Sequence, residues 1–224
     1  MNDSAITLII VALNVLVSYK GFNDYIFFDR FKFQTGPILK YKQYDRLLTS
    51  GFLHVNTAHL LFNMITLYFF AWFVIRFFSV HSGGEANGAV IFAIVYLLSV
   101  IGGNLLALFF QKNNYNYSAV GASGGVSGIL FASIVIDPNI ELLLFFILPI
   151  KGWIFAIAYL GYSVYGMKSR LGNIGHEAHL GGSIIGLIAP VLIYPPVYEE
   201  HKLYILGMLI PIAVLFVMAL KQKK

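Results

Sequence analysis

The residue with the clearest potential for chemistry is Ser123, a serine within the glycine-rich run Val120–Gly128. A serine becomes a nucleophile when a histidine hydrogen-bonds to it and takes its proton. The chain offers such a histidine at His179. His59 and Asn63 are spaced i,i+4 on one face of a predicted helix, from which they could donate hydrogen bonds to an oxyanion beside the serine N–H. Together these residues predict acyl-transfer chemistry by a Ser–His dyad.

The composition indicates that these residues belong to a membrane protein. Of the 224 residues, 58% are hydrophobic and 11% are charged, and the mean hydropathy is +0.78, whereas a soluble domain carries about 25% charged residues. The absence of cysteine excludes disulfides and thiolate chemistry. The net charge of +5 suits anionic lipid headgroups. Because the basic residues are scattered, apart from the terminal cluster Lys221–Lys224, no nucleic-acid partner is expected.

Seven apolar segments predict membrane-spanning helices within a single membrane domain, residues 1–224. They cover approximately residues 5–19, 57–78, 89–110, 119–136, 152–165, 176–194 and 203–220. The first segment lacks a basic n-region and a cleavage site, so it is read as a span and not as a signal peptide. The aromatic and charged residues 21–53 predict an interfacial first loop. Residues 140–150 are apolar but too short to span, and they predict an extended or interfacial connection.

The polar candidates concentrate in the second, fourth and sixth predicted spans. Polar groups inside a bilayer are costly and therefore mark functional candidates. Successive spans alternate in direction, so these three run the same way, and their polar residues lie within about two turns of the N-terminal ends. The free N–H groups of those ends would favour an anion at this depth. Small-xxx-small pairs such as Gly124/Gly128 and Gly182/Gly186 predict that the fourth and sixth spans touch.

Four short motifs occur in order along residues 43–190. They are Arg46-Leu47-Leu48-Thr49-Ser50-Gly51-Phe52, His54-(x)4-His59-Leu60-Leu61-Phe62-Asn63, Gly121-Ala122-Ser123-Gly124 and Ala178-His179-Leu180-Gly181-Gly182. With these motifs the chain resembles the rhomboid family of intramembrane serine proteases. The resemblance implies an all-α, polytopic six-helix bundle over about residues 1–194. It also implies one extra C-terminal transmembrane helix in residues 195–224.

For the catalytic residues, the resemblance implies that Ser123 is the nucleophile, that His179 is the general base, and that His59 and Asn63 line the oxyanion site. The implied function is that of an intramembrane serine endopeptidase that cleaves transmembrane segments of single-pass or polytopic membrane proteins. It requires no cofactor and no metal. The expected setting is the lipid bilayer of a bacterial inner membrane, with the chain as a multi-pass protein. The oligomeric state is left open.

The resemblance also implies four supporting residues. Gly121 and Gly182 would permit close helix packing. His54 would belong to the hydrogen-bonding support near the first loop, and Arg46 would hold the structure of that loop.

Three features depart from the family pattern. Family members often have an aromatic residue four positions after the nucleophile, packed on the catalytic histidine. Ser127 stands there in this chain, so another group, or a hydrogen bond from Ser127, must orient His179. Asp45 precedes Arg46 where tryptophan is frequent.

The third departure concerns the distribution of charge. The family orientation places the N-terminus in the cytoplasm and the first loop outside. Of the 15 Lys and Arg residues, three (Arg76, Lys151 and Lys202) lie on the other loops, and the remaining twelve lie on the face of the first, third and fifth loops and the C-terminus. The positive-inside rule alone would therefore invert the protein, and the family orientation is kept as the expectation.

Several alternatives stay open from the residues alone. A rhomboid-like pseudoprotease would bind membrane segments without cutting them. His176 competes with His179 as the base, and is otherwise expected to be a solvated histidine at a loop end. The sequence His176-Glu177-Ala178-His179 is one residue short of the zinc motif HExxH, although a zinc site of His54, His59, His176 and His179 is conceivable. A solute transporter is the remaining class, against which the lack of an inverted repeat counts.

Overall fold

The computed structural model describes residues 3–144, 147–169 and 175–221, and its helices account for most of them. In chain order these helices are α1 (Asp3–Asn23), α2 (Tyr25–Phe31), α3 (Thr35–Tyr41), α4 (Arg46–Thr49), α5 (Thr57–His81), α6 (Glu85–Gln111), α7 (Ser123–Ile136), α8 (Gly152–Ser169), α9 (His176–Ile193) and α10 (Pro196–Lys221). Two antiparallel pairs of short strands accompany them: β1 (Phe33–Gln34) with β2 (Ser118–Ala119), and β3 (Glu141–Leu144) with β4 (Leu148–Lys151). Positions 170–174 of the predicted fifth loop and 222–224 of the terminal lysine cluster lie outside the described residues.

Seven of these helices, α1 and α5 to α10, correspond to the seven predicted spans. By length and composition, four of the helices in the described ranges could cross a membrane: α1, α5, α6 and α9. The chain is therefore a polytopic helical membrane protein, as predicted. Most helices extend beyond the predicted spans; α1, for example, continues to Asn23. The fourth span is the exception, because Ser118 and Ala119 pair with β1 as a strand, and the helix begins only at Ser123.

The first loop is folded and not merely interfacial. Its strand β1 pairs with β2 of the third loop, and Phe33 is fully buried there. The backbone N–H groups of Thr35 and Gly36 donate to carbonyls of the third loop, over 3.1 and 3.0 Å. Tyr25 and Ile26 of α2 remain largely exposed, as expected of side chains at a membrane interface. The first and third loops thus form one layer at the end of the bundle where α5, α7 and α9 begin.

Arg46 lies at the centre of this layer and is only 4% exposed. Its Nη1 donates to the carbonyls of Asp29 and Lys32, both over 2.8 Å, and its Nε donates to Gln43 Oε1 over 2.7 Å. Asp45 forms an ion pair of 2.7 Å with Arg30 at the surface of the layer. Arg46 therefore joins three segments of the first loop, and Asp45 adds a solvent-exposed contact where the family often has tryptophan.

Glycines allow α6, α7 and α9 to pack backbone against backbone. A Cβ atom at Gly182 or Gly186 of α9 would collide with the carbonyl oxygen of Gly124 or Gly128 of α7. The predicted contact between the fourth and sixth spans is thereby confirmed. On the other side of α9, a Cβ at Gly181 would lie 2.7 Å from the Gly102 carbonyl oxygen of α6. This second glycine interface was not predicted.

Helix α7 is the central helix, since every residue from Gly124 to Val135 is buried. Helix α10 packs mainly against α8, and it bends at His201, whose backbone is not helical (φ −123°, ψ 15°). The His201 Nδ1–H donates to the carbonyl of Val135 over 2.9 Å, which satisfies a free carbonyl in the last turn of α7. The hairpin β3–β4 connects α7 to α8, as the extended connection predicted for residues 140–150.

Candidate active site

Ser123 is the first residue of α7, at the end of the bundle covered by the loop layer. The first hydrogen bond of the helix runs from the Val126 N–H to the Ala122 carbonyl over 2.9 Å. The N–H groups of residues 123–125 precede that bond, so they have no acceptor within the helix. Such a helix end, with its positive dipole, favours an anion beside the serine.

Gly121 sets the direction in which the chain enters α7. Its φ of +135° is a conformation that favours glycine, and its N–H donates to the Ser50 carbonyl over 3.0 Å. A Cβ at this position would lie 3.0 Å from His59 Nε2 and 3.6 Å from Ser123 Oγ. The packing role that the resemblance implied for Gly121 stays a prediction. The residue precedes the helix, and its missing side chain leaves a space that the His59 ring and the serine hydroxyl both border.

Asn63 and His59 lie on one face of α5, as their spacing predicted. The Asn56 side chain caps the helix by accepting the His59 N–H over 2.8 Å, and the Asn63 Nδ2 donates to the His59 carbonyl over 3.1 Å. An amide nitrogen carries two hydrogens. Within the described parts of the chain, only one of those of Asn63 is used, and the residue is buried one turn after His59 on α5.

His54 connects the first loop to the residue that precedes the nucleophile. The Ala122 N–H donates to His54 Nε2 over 3.3 Å. Since Nε2 accepts, the proton of the neutral ring is on Nδ1, which donates to Ser18 Oγ over 2.8 Å. The serine in turn donates to the Phe52 carbonyl over 2.9 Å. Burial lowers the pKa of His54 to about 3, which keeps the ring neutral and this chain of hydrogen bonds intact.

His179 approaches α7 through the glycine contact between the two helices. A Cβ at Gly124 would lie 3.2 Å from the Ala178 carbonyl oxygen. Gly124 follows the candidate nucleophile and Ala178 precedes His179, so the contact brings the two sites next to each other. Ser123 and His179 both lie within the described residues, and no hydrogen bond joins the Ser123 hydroxyl to the His179 ring. Nucleophile–base hydrogen bonds are often long in sites without substrate.

The ring that stacks on His179 belongs to Tyr159 of α8. The two ring centroids are 6.1 Å apart and the ring planes are 22° from parallel. The Tyr159 hydroxyl is 2.7 Å from Ser127 Oγ and forms a hydrogen bond with it. Tyr159 was not among the predicted site residues. Its signal in the sequence is weak, because Tyr162 and Tyr165 occur in the same predicted span.

His176 is not a solvated histidine at a loop end, and that expectation was wrong. It is only 3% exposed, and its ring packs on Gly166 and edge-on against Tyr162, both on α8. It therefore packs against α8. The next residue, Glu177, accepts a hydrogen bond of 2.6 Å from Gln111. No three acidic or histidine side chains in the described ranges are arranged to hold a metal ion.

The fold and the site define a polytopic helical membrane protein with a serine at a buried helix end and a histidine on a neighbouring helix. Sequence comparison identifies its family, because the model of the Rhomboid domain matches residues 41–196. The chain belongs to the rhomboid family.

Three relatives show how far the similarity extends. RHOMBOID-like protein 12, mitochondrial, of Arabidopsis thaliana is 27% identical over 193 residues, which are 84% of this chain and 57% of that protein. Rhomboid protein 1, mitochondrial, of Saccharomyces cerevisiae is 31% identical over 148 residues, covering 63% of this chain and 40% of the relative. Rhomboid protease GluP of Bacillus subtilis is 28% identical over 144 residues, 64% of this chain and 25% of that protein. The chain spans about half the length of the first two relatives.

Proposed function

We propose that this chain is an intramembrane serine endopeptidase that cleaves transmembrane segments of membrane proteins, with Ser123 as nucleophile and His179 as general base. The observation that carries the proposal is the backbone contact of α7 with α9. Through it, the residue after the serine touches the residue before the histidine. Membership of the rhomboid family, in which one relative is named a protease, supports the same activity.

In the proposed reaction, Ser123 Oγ attacks the carbonyl carbon of the scissile peptide bond while the His179 ring takes the hydroxyl proton. The tetrahedral intermediate collapses as the C–N bond breaks, and the protonated ring gives its proton to the leaving amine. Water then attacks the acyl-enzyme, again with His179 as base, and releases the new carboxylate and the serine. Water reaches the site from the end of the bundle formed by the loop layer.

The oxyanion of the intermediate would lie in the space beside Gly121. The His59 ring borders that space, the first N–H groups of α7 follow Gly121 in the chain, and Asn63 is proposed to reach the oxyanion from the same face of α5 as His59. Loss of one donor from such a site typically lowers the rate by about 10²–10³. His54, Arg46 and Gly182 are proposed to act indirectly, by fixing the loops and helices that carry these groups.

The proposed substrates are single-pass or polytopic membrane proteins, reached within the bilayer. The bacterial inner membrane predicted from the sequence is not favoured by the first two relatives, whose names place them in mitochondria. The proposal is therefore for a multi-pass membrane enzyme without a stated compartment. No cofactor enters the proposed reaction.

The test is cleavage of a single-pass substrate by the purified full chain in lipid vesicles. We expect Ser123→Ala and His179→Ala to abolish cleavage, and Ser118→Ala, which changes an exposed serine of β2, to leave it unchanged. A fluorophosphonate should label the parent at Ser123, and label His179→Ala far more slowly. Substrate binding without cleavage by the parent would instead indicate a pseudoprotease. Cleavage that survives Ser123→Ala would exclude the mechanism, and inhibition by a chelator would indicate a metalloprotease.

A further inference from the structure

We propose that Tyr159, held by Ser127, is the positioning residue that fixes the His179 ring for catalysis. This inference rests on the proposed function, because it concerns the residue that holds the proposed base, His179, in position. The family's usual aromatic residue on α7 is replaced by Ser127, and the structure supplies an aromatic ring to His179 from α8 instead. The ring therefore comes from a helix that carries neither the nucleophile nor the base.

The stacking geometry restricts the rotation of the imidazole. The rings of Tyr159 and His179 are 22° from parallel with centroids 6.1 Å apart, which lies within the range of offset aromatic pairs. A base stacked on one face keeps its ring plane, whereas an unsupported imidazole on an apolar helix surface can rotate about two side-chain bonds. Rate depends steeply on this orientation, because a displacement of about 1 Å can cost about 10²-fold.

Tyr159 is itself fixed from several directions. Its hydroxyl forms the 2.7 Å hydrogen bond with Ser127, and Phe155 stacks on its ring with centroids 5.6 Å apart. The buried Phe131 of α7 contacts it from another side, at 5.7 Å. A tyrosine hydroxyl in an apolar bundle requires a partner, and Ser127 provides it. The serine that replaces the family's aromatic residue is thus the residue that anchors the replacement ring.

The hydrogen bond and the stack make separate predictions. Tyr159→Leu removes the ring, and we expect it to lower kcat by about 100-fold while KM stays within about two-fold, because the proposed role of the ring is to orient His179 and not to bind substrate. Tyr159→Phe keeps the ring but loses the hydroxyl, and we expect a decrease of about 5- to 10-fold, which is what one hydrogen bond contributes. Ser127→Ala should match Tyr159→Phe. The double variant Ser127→Ala/Tyr159→Phe should be no slower than either single variant, because both remove the same bond.

The experiment measures kcat and KM for the single-pass substrate, the rate of fluorophosphonate labelling at Ser123, and the thermal unfolding midpoint of each full-length variant. Tyr165→Leu is the matched control, since it removes an exposed ring from the same helix. Its kcat and labelling rate should equal those of the parent. If Tyr159→Leu unfolds, Tyr159→Phe and Ser127→Ala still test the bond, because they remove only a hydroxyl.

The results separate this inference from the proposed function. One result would refute the positioning role and leave the proposed protease activity intact. In that result the parent cleaves the substrate, Ser123→Ala is inactive, and Tyr159→Leu keeps the parental kcat. A rise in KM at constant kcat, or additive losses in the double variant, would also overturn it. If the parent neither cleaves nor reacts with the fluorophosphonate, both proposals fail together.

Discussion

Gly182→Ala most directly probes the contact that holds the candidate nucleophile and base together. A Cβ at residue 182 would lie 2.7 Å from the carbonyl carbon of Gly124 and 3.1 Å from its Cα, and closer still to the carbonyl oxygen. These are backbone atoms of a buried helix, so they cannot turn aside as a side chain could. Carbon atoms pack at about 3.5–4.0 Å. The two helices must therefore separate locally by about 1 Å.

The separation of the two helices is expected to lower both the free energy of unfolding and kcat. Overpacking costs about 3 kcal/mol at a contact this rigid, and the better helix propensity of alanine returns about 1 kcal/mol. The net loss of about 2 kcal/mol lowers the unfolding midpoint by about 4–8 °C in a chain of this size. A displacement of about 1 Å between Ser123 and His179 would lower kcat by about 100-fold.

The assay compares cleavage and thermal unfolding of Gly182→Ala with those of Gly161→Ala. Gly161 lies on α8, and a Cβ there would meet nothing within 4 Å. The control therefore gains the same helix propensity without a clash, and it should cleave at the parental rate with an equal or higher unfolding midpoint. A Gly182→Ala variant that cleaves within two-fold of the parent and unfolds at the parental midpoint would refute the reasoning.

Three further predictions concern the loops and the orientation. Arg46→Ala should destabilise the protein by about 3 kcal/mol, because it removes charged hydrogen bonds from a buried site. Asp45→Ala should cost less than about 1 kcal/mol, because its ion pair is exposed to solvent. Equal shifts of the two variants in the unfolding midpoint would contradict this prediction. Burial lowers the pKa of His54 from its ordinary 6.5 to about 3, so the unfolded chain binds a proton at this residue before the folded chain does. The contribution of neutral His54 to the free energy of unfolding is therefore complete above pH 6.5 and is lost as the pH falls toward 3. The loss is up to about 1.4 kcal/mol per pH unit. This part of the pH dependence of unfolding should disappear in His54→Ala. Because the chain has no cysteine, single-cysteine variants report the orientation. In the family orientation, an impermeant maleimide added to intact cells should label Asn113→Cys, on the same face as the first loop, and not Glu85→Cys. The reverse pattern would indicate the orientation that the positive-inside rule favours.

The features that the sequence predicted correctly are those that depend on local spacing. Hydropathy located α1 and α5 to α10, because a helix in lipid must carry enough apolar residues to be stable there. The recurrence of glycine every four residues predicted the contact between α7 and α9, since small residues at that spacing line one face of a helix. The roles of the individual site residues remain predictions.

The features that were missed depend on contacts between distant segments. The start of α7 was placed at residue 119, because an apolar alanine beside a span gives no sign that it pairs with Phe33. The burial of His176 and the position of Tyr159 depend on how α8 is rotated about its axis. The apolar residues surround that helix on every side, so periodicity does not define the rotation. For the same reason the sequence alone could not show which ring replaces the aromatic residue absent at Ser127.

The shortness of α7 fixes the depth of Ser123, the proposed nucleophile, relative to the bilayer. Its 14 residues span about 21 Å, while the hydrocarbon layer of a bilayer is about 30 Å thick. A helix that starts at Ser123 and ends before Asp137 therefore cannot reach both surfaces unless the bilayer thins around it. The proposed nucleophile, Ser123, would then lie at a depth fixed by the protein and not by the substrate's sequence. A substrate helix would then be cut according to its vertical position, so its register in the membrane is itself part of the recognition.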